Sequence, residues 1–310
     1  VVLDKLEKII GVHLKGNGMN RIAILIVSQM LTLLFFSISQ PIYAAELYES
    51  DKDLAGIAEI NPTIYQQMID AGAKTLIVRG HKPFIVYWLP DGFDELPNRR
   101  ILVIMHGTNG NAYRHMSNFL NTARKYRFGI LSVQWGWPTG KQTLKRKIKY
   151  KYIRNARDTY RLISEGLSYI DGIHRISPGE CAWLGFSRSS TQCAVFAHLD
   201  KNEGNKYFAL FIATSGGIGK NLPIMRELLS GKHGDKPLAG LHFYLWGGKR
   251  DRRHGENEMR QSQTIIEQLG GIVDILRIGK EGHGGFNHNL QYQEEAWALW
   301  NSLCYGKNEK

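Results

Sequence analysis

Cysteine is scarce in this chain. Cys181, Cys193 and Cys304 are an odd three, so at least one thiol has no partner within the chain, and one disulfide is the most the sequence allows. Their spacing matches no metal site. Cys181 and Cys193 flank a serine-rich turn, where each reads as a small buried packing residue. An apolar run long enough to cross a bilayer is also missing: Ile22 to Phe36 covers 15 positions and includes Ser28, Gln29 and Thr32, short of the roughly 20 residues that a spanning helix needs. There is no internal repeat or low-complexity linker to divide the chain. No recognised nucleic-acid module accompanies its basic residues, which argues against a nucleic-acid partner.

What remains is the composition of a globular protein. Of 310 residues, 43% are hydrophobic and 22% charged, enough for a sizeable core and too apolar for general disorder. Residues 19–45 form a separate unit. A short basic head, Met19-Asn-Arg21, precedes the apolar run, and Ser37 to Ala45 ends in small residues, the layout of a secretory signal peptide. This pattern places the start of translation at Met19, cleavage near Ala44 or Ala45, and the product in the periplasm or outside the cell. An uncleaved anchor is the alternative. About 265 residues then remain, a common size for one α/β domain.

The formal charge is +12, from 40 basic and 28 acidic residues. Residues 1–45 carry Lys5, Lys8, Lys15 and Arg21 against Asp4 and Glu7, so the balance of the remainder is +10. Much of the excess lies between Lys141 and Arg161, which reads as a solvated helix face and loop, with adhesion to anionic surfaces as the functional alternative.

Along the chain, a helical lead-in over residues 51–72 is broken at Asn61-Pro62. Two strands follow, Lys74 to Arg79 and Pro83 to Leu89, joined as a hairpin through Gly80-His-Lys82. Arg100 to His106 is a nearly continuous apolar run, the mark of a strand buried on both faces. A helix over 111–127 and a strand over 128–133 complete a βαβ unit, which implies a parallel sheet. Strands at Cys181, Tyr207 to Ala213, Leu241 to Trp246 and Ile272 to Arg277 alternate with helices near 153–170, 222–229, 256–269 and 289–303. The expected fold is α/β, a mostly parallel, doubly wound sheet of about eight strands with an N-terminal antiparallel hairpin, in one domain over 46–310.

Ligands bind beyond the carboxyl ends of strands in such sheets. Four polar clusters fall there. The first is Gly185-Phe-Ser187-Arg-Ser189, between a strand and a helix, where a strained turn projects the serine hydroxyl. The second is Gly247-Gly-Lys-Arg-Asp251, the third Gly279-Lys-Glu-Gly-His283-Gly-Gly, and the fourth His106-Gly-Thr108-Asn109-Gly110. A serine hydroxyl needs a base to take its proton, and the base needs an acid to fix its tautomer. Ser187, Asp251 and His283 supply nucleophile, acid and base in that chain order. Glu256 is the alternative acid, and His254 or His288 the alternative base. Ser189 and Ser190 compete weakly as nucleophiles, and His106 reads as a packed structural histidine.

With those pieces in place, residues 75–305 resemble the α/β-hydrolases, and within them the secreted esterases of the polyhydroxybutyrate-depolymerase and feruloyl-esterase type and the related dienelactone-hydrolase-like proteins. The matching pieces are His106-Gly107, the Ser187 elbow, Asp251 and Gly282-His283-Gly284; the elbow departs from G-x-S-x-G by Ser189 at its last position. The resemblance implies an acyl-enzyme hydrolase acting on a small or polymeric ester, without cofactor or metal. It also implies an oxyanion hole made by the backbone N–H of Arg188 and that of Thr108, with Asn109 as the alternative. Trp135 and Trp137, at the end of the fourth strand, are either an aromatic wall for substrate or loop packing. A serine peptidase of the prolyl-oligopeptidase type and a catalytically silent binding protein of the same fold are the competing functions.

Overall fold

The computed structural model describes residues 47–49, 62–78, 83–139, 149–203 and 206–305. All lie within the compact unit Ala45–Lys310. The expected signal segment, the lead-in before Pro62, the hairpin connection at 80–82 and the basic stretch 141–148 fall outside the described residues.

Nine strands make the main sheet, in the order β1-β2-β3-β5-β4-β8-β9-β10-β11. Their ranges are β1 Leu47–Glu49, β2 Lys74–Val78, β3 Phe84–Trp88, β4 Ile101–Met105, β5 Gly129–Gln134, β8 Cys181–Phe186, β9 Phe208–Thr214, β10 His242–Gly248 and β11 Ile272–Gly279. Pairing is antiparallel from β1 to β2, β3 and β5, and parallel across β5, β4, β8, β9, β10 and β11. The one strand beyond the expected eight is β1. Its three residues are too few for a period-2 pattern to stand out. A separate two-stranded ribbon pairs β6 Gly136–Thr139 with β7 Lys149–Tyr152, antiparallel. The middle of the basic stretch, Lys149–Tyr152, is therefore a strand, where a helix face and loop were expected, while its end from Ala156 is helix.

The central strands owe their position to burial on both faces. All five residues of β4, Ile-Leu-Val-Ile-Met, are buried, as are the seven of β9. Alternate side chains feed two helical layers. On one face Leu102, Ile104, Leu184 and Ile212 join a core that includes Met116 of α2 (Ala112–Ser117), Leu120 and Ala123 of α3 (Leu120–Tyr126), and Ala296, Trp300 and Cys304 of α9 (Leu290–Tyr305). On the other, Trp183 meets Phe196 of α5 (Cys193–Asn202) edge to face at 5.2 Å. There a Cβ on Gly166 of α4 (Ala156–His174) would press on Ile85 and Leu131, so glycine lets the helix seat against the sheet. The remaining helices are α1 Pro62–Asp70, α6 Pro223–Leu229, α7 Glu256–Gln268 and α8 Gly285–His288.

The helix expected over 111–127 is two. Phe119 N–H reaches back to the Met116 carbonyl at 2.9 Å, tightening the chain between α2 and α3. Asn111 caps α2, its side chain accepting from Arg114 N–H at 2.7 Å, and Asn155 caps α4 through Arg157 N–H. Cys181, Cys193 and Cys304 are all buried, Cys181 and Cys193 as free thiols. Burial pushes the Cys181 thiol up to about 12.

Candidate active site

The chain runs from β4 outward to β5 and then returns past β4 to β8, so connections leave β4 and β8 in opposite directions. A crevice opens at such a switch point. The turn after β8 and the loop after β4 flank it, and they meet closely: a Cβ on Gly107 would lie 2.9 Å from Ser187 Cβ.

Ser187 itself stands in the left-handed region, at φ 56°, an uncommon conformation for a residue with a side chain. The elbow is held from three sides. Ser187 N–H donates to Thr214 O of β9 at 2.8 Å, and a Cβ on Gly216 would sit only 2.0 Å from Ser187 O. Gly185 is equally confined, since a Cβ there would lie 2.8 Å from Ser190 N. The third constraint is Ser189, at the position where the usual elbow carries glycine. It is fully buried and takes up helical backbone at φ −73°. Its Oγ donates to Met105 O of β4 at 2.6 Å and accepts from Phe186 N–H at 2.9 Å. The hydroxyl thus satisfies two groups of the tight strand–helix approach that glycine would leave to the backbone alone.

Asp251 and His283 come from the loops after β10 and β11. These loops are laced together: Lys249 N–H donates to Gly279 O at 2.7 Å, Arg250 N–H to Glu281 O at 3.0 Å, and the Arg250 Nε–H to Lys280 O at 2.8 Å. The result brings three side chains into one line. His283 Nε2 is 2.9 Å from Ser187 Oγ, and His283 Nδ1 is 2.6 Å from Asp251 Oδ2. The Asp251 side chain is 5% exposed, whereas that of His283 is 42% exposed and in contact with water. Asp251 Oδ1 accepts from the N–H groups of Arg253 and His254, each at 3.1 Å. Burial alone raises the Asp251 pKa, but the hydrogen bonds from His283 and from the His254 and Arg253 N–H groups outweigh it, and the carboxyl titrates below its ordinary value.

The alternatives lie elsewhere. Glu256 pairs with Arg260 along α7, and His254 pairs with Glu258 at 2.7 Å, its ring 5.8 Å from that of His283. His288 is exposed on α8. Ser190 is buried, with its Oγ toward Gly217 O at 3.5 Å. His106 is buried beneath the site, Nδ1 against Gly107 O at 2.8 Å, and burial lowers its pKa to about 4.

Beside these three side chains, the Asn109 N–H donates to the Tyr152 hydroxyl at 2.9 Å. The N–H groups of Thr108 and Arg188 have no acceptor among the described residues. Asn109 adopts φ 59°, and Gly110 N–H closes the turn on Gly107 O at 3.2 Å. The Arg188 guanidinium lies 4.3 Å above the Tyr152 ring.

Of its two expected roles Trp135 takes packing, and the substrate wall is corrected: it is 1% exposed, donates its indole N–H to His106 O at 2.9 Å, and packs under Tyr152 at 4.8 Å. Strand-end aromatics point in or out according to register, which composition does not reveal. Trp137, the next residue on the ribbon but one, is partly exposed. Tyr152 was missed as part of the site. Its signal was the alternation Lys149-Tyr-Lys-Tyr152, which is a strand pattern hidden within a charge-rich stretch.

No family model matches the chain, and no curated protein matches its sequence. Solved structures do. An esterase from the fungus Rhizomucor miehei superposes with a TM-score of 0.56 at 14% identity, over 90% of this chain and 97% of its own. A Pyrobaculum calidifontis esterase gives 0.51 at 13% identity, over 87% and 97%. A 2,6-dihydroxy-pseudo-oxynicotine hydrolase gives 0.52 at 15% identity, over 78% and 72%. At such identities the likeness is one of fold, the α/β-hydrolase fold, and the strand order and elbow described above are those of that fold.

Proposed function

We propose that this chain, on its α/β-hydrolase fold, is an exported serine hydrolase that cleaves a carboxylic ester through an acyl-enzyme. The observation that carries the reading is the hydrogen-bonded line Ser187–His283–Asp251, with contacts of 2.9 and 2.6 Å. Two of the superposed neighbours are described as esterases, which agrees with an ester as substrate.

In the proposed reaction Ser187 Oγ attacks the ester carbonyl carbon while His283 Nε2 takes the hydroxyl proton. Asp251, ionised and held by two backbone N–H groups, keeps the proton of His283 on Nδ1 and stabilises the imidazolium. The carbonyl oxygen becomes an oxyanion. Arg188 N–H and Thr108 N–H are the donors for it, because Asn109 N–H is already engaged by Tyr152. Collapse breaks the C–O bond, and the leaving alkoxide takes the proton from His283. Water then repeats the sequence: His283 accepts its proton, hydroxide adds to the acyl carbon, and the acid departs as the proton returns to Ser187.

The test is a fluorophosphonate probe followed by a panel of short acyl, long acyl, feruloyl and dipeptide substrates. Labelling of the wild type and none of Ser187→Ala is expected, with ester turnover in Ser187→Ala lower by about 10⁶-fold. Equal labelling of the two proteins would exclude Ser187 as nucleophile. Turnover of the dipeptides alone would assign a peptidase. For export, mass spectrometry of protein recovered from the cell envelope should find a chain beginning at Ala45 or Glu46, and an intact N-terminus would contradict processing.

A further inference from the structure

The residue after the proposed nucleophile carries a cation. Arg188 is exposed, and among the described residues no carboxylate lies within ion-pair distance of its guanidinium. The nearby acids are engaged elsewhere: Asp251 with His283, Glu258 with His254, and Glu281 with the Tyr292 hydroxyl and Asn289. What the guanidinium does have is a platform. It sits 4.3 Å over Tyr152, whose ring is fixed below by Trp135, at one edge by the Asn109 N–H, and at its flank by Gly136, where a Cβ would come within 2.4 Å of the ring. A face stacked on an aromatic ring leaves the in-plane N–H fork of arginine open, which is the geometry that receives a carboxylate or phosphate two bonds at a time.

The setting reinforces this. Lys249, Arg252 and Arg253, on the loop that carries Asp251, are exposed and likewise have no acidic partner among the described residues. Cations thus stand on both the elbow and the loop of Asp251, which His283 links to Ser187, and this charge favours anions there. The backbone N–H of Arg188 is proposed above as an oxyanion donor. Its side chain therefore starts on the residue that would hold the oxyanion, and any group it grips lies within about one arginine length of the scissile bond.

From this juxtaposition we infer that Arg188, stacked on Tyr152, is the specificity-determining residue for esters that bear a second, anionic group close to the scissile bond. The inference rests on the serine-esterase reading of the same site. A carboxylate fits the planar fork best, since its two oxygens match two parallel N–H donors.

The experiment uses matched ester pairs with the full-length protein. One pair places the charge in the acyl half, mono-4-nitrophenyl adipate against 4-nitrophenyl hexanoate. The other places it in the leaving group, 4-acetoxybenzoate against its methyl ester. The readout is the ratio of kcat/KM for the charged ester to that for its neutral counterpart. In one of the pairs, Arg188→Gln should lower that ratio by about 10- to 100-fold, and Arg188→Lys should lower it less, because a point charge replaces the fork. Added salt should lower the wild-type ratio, and lower that of Arg188→Gln less, since Lys249, Arg252 and Arg253 remain. A wild type that cleaves neutral esters, with a ratio that Arg188→Gln does not move in either pair, overturns the inference and leaves the esterase reading standing. Failure of the wild type to cleave any of the four esters, or to react with fluorophosphonate, removes the esterase reading and this inference with it.

Discussion

Ser189 shows how much one hydroxyl can carry. It occupies the elbow position where glycine is usual, and its Oγ bridges Met105 O on β4 and Phe186 N–H on β8 with no access to water. Ser189→Ala keeps the volume but leaves both groups buried without that partner. A loss of about 1–3 kcal/mol in unfolding free energy is expected, read as a lower urea midpoint at an unchanged slope. An unshifted midpoint would mean that the backbone alone satisfies the elbow. The sequence raised the question of whether serine disturbs the turn; the structure answers it through an acceptor 84 residues upstream, a contact that no local pattern can announce.

At the scale of elements, the loop after β4 and the ribbon β6–β7 act as a pair. Tyr152 on β7 accepts from Asn109 N–H and so holds the turn whose Thr108 N–H is proposed as an oxyanion donor. Tyr152→Phe removes this acceptor together with the hydroxyl's own bond to Asn109 Oδ1 at 3.4 Å, and keeps the ring beneath Arg188. Its kcat on neutral and charged esters alike should fall by about 2- to 10-fold, the scale of lost neutral hydrogen bonding, with the charged-to-neutral ratio unchanged. A change in the ratio alone would show that the hydroxyl serves Arg188 and not the loop. The elements that carry Ser187, Asp251 and His283 were legible because each is a β-branched or aromatic run stopped by glycine and polar residues, a contrast visible in the sequence. The ribbon carried a weaker mark, an alternation inside a charge-rich stretch that reads as solvated surface. The paired position of Tyr152 arises from its register against Gly136, and the buried orientation of Trp135 from its packing against Tyr152.

The whole molecule answers to pH through two histidines that take no part in the proposed chemistry. His106 and His115 are both buried, and burial lowers their pKa values from 6.5 to about 4 and about 3. Each is neutral when folded and takes up a proton on unfolding below pH 6.5, so the unfolded state binds more protons and acid favours it. Their contribution is complete above about pH 6.5 and is lost as pH falls toward 4 and 3, amounting to about 3–5 kcal/mol for each group. Urea midpoints should therefore drop between pH 7 and pH 4.5, and the drop should shrink in His115→Gln. A midpoint that does not change over that range would place the protons elsewhere.

The φ of 56° at Ser187 also bears on selection in the laboratory. Glycine adopts that backbone without the penalty of roughly 1–2 kcal/mol that a side chain brings, so a library screened for heat resistance alone favours replacing Ser187, the proposed nucleophile. Thermostable clones lacking turnover are then the expected by-product, and a screen that couples heating to an ester assay is the safeguard.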